Sequence, residues 1–106
     1  MTGKRPRVSA TRLDRLIAEA TVDCYNEEEQ LTGLFTLIDD NLGLPFETSV
    51  LGVPATVAGV DLTECGIVAI CQRDGVRQAI PLLELSLPAH APGGAEWIEA
   101  YRHWAR

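Results

Sequence analysis

The chain changes its period at Pro45. Before it, Leu31, Leu34, Phe35, Ile38 and Leu42 recur at the spacing of one helix face; after it, apolar and polar residues alternate. Proline lacks the N–H that a helix needs and its ring clashes with the preceding turn, so no helix continues through "NLGLPFETSV". Helices therefore precede Pro45 and strands follow it, which places the chain in the α+β class.

On the helical side two segments are expected. The first runs from about Ala10 to Asp23, with Leu13, Leu16, Ile17 and Ala20 on one face. Asp23 to Asn26 breaks it. Asn26 then suits an N-cap, with Glu27, Glu28 and Glu29 in the first turn of a second helix. That helix is expected to end around Asn41 to Gly43, with Gly43 as its C-terminal cap.

On the strand side, "FETSV", "VPATVAGVDL", "GIVAICQR" and "VRQAIPLLEL" read as strands. Asp74-Gly75 makes a two-residue type I′ hairpin that pairs Arg73 with Val76. Gly52, Gly59 and Gly66 mark places where the chain turns or bends sharply. Such short, bent antiparallel strands favour a small curled sheet closed into an SH3-like barrel; an open curled sheet covered by the helices is the alternative. "LPAHAPGG" is a linker, and residues 95–105 form a short helix whose Trp97, Ile98, Tyr101 and Trp104 would dock on the sheet.

With 106 residues the chain makes one domain. Residues 1–9 read as a disordered basic tail and residues 10–106 as a single domain. No apolar run approaches the roughly 20 residues needed to cross a bilayer, and no secretory signal is visible. Three cysteines make no disulfide framework, so reduced, buried thiols and a cytoplasmic location are expected.

The charge is unevenly placed. Residues 1–15 hold Lys4, Arg5, Arg7, Arg12 and Arg15 against Asp14 alone, whereas Leu16 to Gln72 contain no Lys or Arg and 10 carboxylates. With a net charge of −6, the body of the protein argues against a nucleic-acid partner. The sequence also lacks a phosphate loop, a nucleophile elbow, an HExxH or a CxxC motif. No enzyme activity is expected.

Asp39 and Asp40 pose the sharpest question. They adjoin each other at a helix end where the last carbonyls already carry partial negative charge. A hard cation reverses the sign of these repulsions. Ca²⁺ takes its ligands from carboxylates, amide and main-chain carbonyls and water, and Asp39, Asp40, Asn41 and the helix-end carbonyls offer all but the water. The segment is not an EF-hand, because Leu44 stands where the loop needs glycine and Val50 where it needs a bidentate Glu. Glu29 shares a face with Asp40, but eleven residues of helix rise about 16 Å. One continuous helix therefore separates them into two acidic sites, or calls for ligands from other elements.

The segment "VDCYNEEEQLTGLFTLIDDNLGLPFETSVLG" resembles the hallmark of the CcbP-like calcium-binding family. The residues that carry the likeness are Asp23 and Tyr25, Glu29 and Gln30, Gly33, Asp40 to Leu42, and Pro45 with Phe46. It continues through "IPLLELSLP" and "GAEWIEAYRHW", covering roughly residues 20–104. The resemblance implies a small bacterial protein that binds Ca²⁺ on an acidic surface without an EF-hand, as a buffer or signalling component and not as an enzyme. It weighs most on Asp40; Asp39, Asn41, Glu29 and Asp23 complete the candidate ligands. Two other readings stay open on sequence: a metal-independent barrel that docks a basic protein or nucleic acid, and a purely structural domain.

Overall fold

A computed structural model describes residues 9–105. The expected basic tail, residues 1–9, lies outside the described residues except for Ser9.

Helix α1 (Ala10–Ala20) starts where the Ser9 hydroxyl accepts the Arg12 N–H at 3.2 Å. It stops at Ala20, three residues before the expected Asp23. Thr21 closes the last turn on the Ile17 carbonyl with both its N–H and its hydroxyl, and Asp23 then takes a left-handed conformation with φ 62°. Aspartate tolerates that region better than most residues, so the turn is local chemistry.

Helix α2 (Glu27–Asn41) begins as expected at Asn26, whose Oδ1 accepts the Glu29 N–H at 2.8 Å. Its end differs from expectation. Leu42, not Gly43, is the C-cap, with extended backbone and its N–H on the Ile38 carbonyl at 2.8 Å. The Gly43 N–H turns away to the Gly93 carbonyl at 2.7 Å, so the linker before the last helix captures it.

Four strands follow: β1 (Phe46–Val50), β2 (Val53–Thr63), β3 (Gly66–Arg73) and β4 (Val76–Pro81). All neighbours are antiparallel and the order is β1-β2-β3-β4, so the sheet is curled with β1 and β4 as edges. The hairpin at Asp74-Gly75 forms as expected, with φ of 51° and 79° and Arg73 opposite Val76. Strand β4 is shorter than the expected run to Leu85. Leu82 still donates to the Ile67 carbonyl at 3.0 Å, but Glu84 and Leu85 bond back to Pro81 and Leu82 in a turn. That turn drops Leu82 and Leu85 into the core.

A bulge in β2 explains an oddity of its sequence. Val57 faces Cys71 while Gly59 faces Ile70, so Ala58 is the extra residue. Ala55 and Val57 point to the core before the bulge; after it Val60 and Leu62 lie opposite the buried Ala69 and Ile67. Without the extra residue, a strict alternation would turn Val60 and Leu62 away from the core.

Helix α3 (Ala95–Trp104) packs chiefly against α1 and α2. The Tyr101 hydroxyl accepts the Ile67 N–H at 3.2 Å, which ties α3 to the sheet as expected. Trp104 goes elsewhere: its Nε1 donates to Gln30 Oε1 on α2 at 2.9 Å. Leu34, Ile38, Val57, Ile67, Leu82 and Ile98 are all below 2 % exposed, and each adds about 1.5–3 kcal/mol by leaving water.

Gly33 sets how closely α1 and α2 cross. A Cβ built there would stand 2.2 Å from the Ala20 carbonyl oxygen, which is backbone and cannot swing aside. Gly33→Ala should therefore lower the melting temperature by roughly 5–15 °C, the effect of about 1–3 kcal/mol of overpacking in a domain of this size. Thr36→Ala, at an exposed position of the same helix, should stay within about 3 °C of the parent. Thermal melts followed by circular dichroism compare the two, and equal shifts would show that the close crossing is not a constraint.

Candidate metal centre

The five candidate ligands fall at the two ends of α2. Asp23 and Glu29 lie at the start, and Asp39, Asp40 and Asn41 at the finish. Because α2 is one continuous helix, the two groups do not meet. All five residues are exposed.

At the start, Asp23, Tyr25, Glu28 and Glu29 line an open pocket of about 400 Å³ together with Cys24 and Thr32. Here the sequence reading missed Glu28 as a neighbour of Asp23, because the left-handed turn at Asp23 is what folds the two segments together. The negative side chains have local explanations. Glu29 Oε1 accepts the Tyr25 N–H at 2.7 Å while its own N–H bonds Asn26 Oδ1, a reciprocal cap. Three carboxylates in the first turn also face the positive end of the helix dipole.

At the finish, local structure answers little of the charge. The last turn of α2 holds no basic residue. Among the described residues, neither Asp39 nor Asp40 has a side-chain hydrogen bond or ion pair. With Gly43 bonded to Gly93, the Asp39 carbonyl loses the partner that a further helical turn would give it. Asn41 places its amide nitrogen on the Leu37 carbonyl at 2.8 Å, which leaves Oδ1 as the free end of that side chain. The Asn41 carbonyl is walled in by Gly94, the N-cap of α3: a Cβ at Gly94 would lie 2.2 Å from that oxygen. Gly94 has φ 85°, so two requirements call for glycine there.

Among the described residues, no group of three or more His, Cys, Asp or Glu side chains is arranged to hold a metal ion. A hard-cation site on this helix would draw as well on amide and main-chain oxygens and on water. The thiols offer no alternative. Cys24 is half-buried with Sγ 3.4 Å from the Glu29 carbonyl, Cys65 is exposed in the β2–β3 turn, and Cys71 is buried. Cys65 thus departs from the expected burial. Burial pushes the Cys71 thiol up from its ordinary value, keeping it protonated and unsuited to a metal.

Other residues of the calcium-family segment are accounted for by the fold. Gln30 holds Trp104, Gly33 admits α1, and Leu42 and Phe46 are buried. No helix among the described residues is long and apolar enough to cross a membrane.

Comparison with known proteins gives one result. Searches of curated proteins and of solved structures found no match to the chain. The family model Calci_bind_CcbP, described as calcium binding, matches residues 14–80, more than half of the chain. That span runs from within α1 to Ile80 in β4 and contains every candidate ligand. The chain therefore belongs to the CcbP calcium-binding family.

Proposed function

We propose that the protein binds Ca²⁺ at the C-terminal end of α2, through Asp39, Asp40 and Asn41 Oδ1 with helix-end carbonyls. One observation carries this reading: two carboxylates and an amide oxygen, without partners among the described residues, sit at the negative end of a helix with no basic residue in its last turn. The donors are all hard oxygens, the set that calcium accepts. An EF-hand is disfavoured by the connection that follows, because Leu42 to Pro45 lead into strand β1 and not into a second helix. We read the protein as a small cytoplasmic calcium buffer or signalling component on an acidic surface, not as an enzyme.

The pocket at the start of α2 supports a second reading. Asp23, Glu28 and Glu29 line it together, and Asp23 is held in a left-handed conformation beside it. There the helix dipole opposes a cation and the Tyr25 N–H occupies one Glu29 oxygen, so it ranks second.

Isothermal titration with CaCl₂ in about 0.1 M salt, where long-range attraction is screened beyond about 10 Å, separates the two sites. Asp40→Asn should weaken binding about tenfold or more, as expected for losing one direct charged contact. Glu28→Gln removes the same charge at the far end of the helix and should weaken binding by no more than about threefold. The reverse order would move the site to the pocket at Asp23. Without calcium, Asp40→Asn should leave the melting temperature unchanged or slightly raised, because it relieves repulsion from Asp39 and the helix-end carbonyls. A clear drop would make Asp40 a structural residue.

Ion preference follows from the donors. Ca²⁺ should bind more tightly than Zn²⁺, since no thiol or imidazole is among the proposed ligands, and Mg²⁺ should be weak because it keeps its waters and demands a compact octahedron. The calcium-free chain should already be folded, and saturating calcium at a hundred times its dissociation constant should add about 2.7 kcal/mol. Competition titrations and melts check both points; tighter Zn²⁺ binding that is lost in Cys65→Ser would overturn the oxygen site.

A further inference from the structure

The core face of the sheet runs on past the elements that cover it. The β1–β2 turn, Leu51-Gly52, and the β3–β4 turn, Asp74-Gly75, lie at the same end, because Thr56 near the start of β2 pairs with Gln72 near the end of β3. The register places Val50, Val53, Ala55, Cys71 and Val76 on the core face there. Ala55 and Cys71 are buried, yet Val53 is 41 % and Val76 66 % exposed. Ala55, Cys71, Val50 and Val76 line a depression of about 140 Å³ rimmed by Arg73 and Asp74.

Beside this depression stands Leu51, 96 % exposed. It occupies a left-handed turn position with φ 53°, where Asn, Asp or Gly would be at ease and a leucine is strained. A large apolar side chain held fully in water on a strained turn suits a contact residue. Knob and hollow lie at one end of one molecule, so a two-fold axis would seat each knob against the other copy's hollow.

Charge selects the same partner. Between Leu16 and Gln72 the chain has no Lys or Arg, so most of the body would repel a second copy. Arg73 and Asp74 stand side by side at the tip end, which gives the rim of the hollow both signs. Across a two-fold axis an arginine of one copy can face Asp74 of the other, which favours self-pairing over a uniformly acidic or basic partner. We propose that the hairpin-tip end of the sheet is a self-association surface, on which Leu51 of one copy covers the exposed core face of another.

Sedimentation equilibrium of the full chain from about 10 µM to about 1 mM tests this, a range that brackets weak dimers. The parent should show a monomer–dimer equilibrium. Leu51→Asn should raise the dissociation constant about tenfold or more, since it removes a buried aliphatic group while suiting the turn. Val76→Lys should do the same from the hollow side. Circular dichroism melts of both variants at low concentration should show an intact fold. A parent that stays monomeric throughout, or a dimer that Leu51→Asn leaves intact, would overturn the proposal.

Discussion

The close crossing of α1 and α2 at Gly33 is the contact on which the rest of the arrangement depends. With the Ala20 carbonyl against the Gly33 Cα, α1 cannot continue past Ala20 without colliding with α2. The chain must turn within a few residues, which it does through Thr21 and the left-handed Asp23. The turn brings Asp23 to the first turn of α2, and the helix pair makes the shelf on which α3 lies. Gln30, one turn before Gly33, holds Trp104 at the far end of α3, while Gly94 at its near end rests on Asn41. Helix α3 is thus fixed at both ends to α2, and the buried stripe of Leu34 and Ile38 lies between those fixings.

This scaffold divides the family-motif residues by what the fold asks of them. Gln30, Gly33, Leu42 and Phe46 each meet a packing or hydrogen-bonding demand, and Glu29 caps its own helix. Tyr25 contributes its backbone N–H to that cap, while its ring is 88 % exposed. Asp39 and Asp40 meet no such demand. Both carry negative charge at a helix end whose last carbonyls are already partly negative. A fold indifferent to those side chains could replace either by a neutral residue at no structural loss. Both groups of carboxylates lie on the segment that the calcium-binding family model matches, and those at the helix start are the ones that the helix dipole already stabilises.

Much of the fold was legible in the sequence because it was written in local terms. The period change at Pro45, the Asn26 cap, the first three strand runs and the Asp74-Gly75 hairpin each rest on a few neighbouring residues, and each formed close to its expected place. What departed from expectation depended on distant contacts. Gly43 reads as a helix cap in isolation, but Gly93, fifty positions on, takes its N–H. Leu82 and Leu85 read as strand, but a turn after Pro81 sends them inward. Trp104 reads as a sheet-docking residue, but Gln30 offers the indole its hydrogen bond. The separation of the candidate ligands was legible, since it needs only the rise of one helix. Their grouping with Glu28 was not, because it depends on the left-handed turn at Asp23.

The two proposed surfaces differ in physical character, and the sheet explains why they can coexist. The C-terminal end of α2 presents carboxylates without partners among the described residues, where solvation and repulsion work against close approach of another acidic chain. At the hairpin tips the alternating pattern runs on past the helices, and β4 is exposed at five of its six positions, all but Ile80. A strand pattern that keeps valines inward at Val50, Val53 and Val76 makes sense for burial, yet nothing within the described residues buries Val53 or Val76. The tip end thus joins exposed valines to a rim that carries both signs of charge, the combination on which the proposed self-association rests.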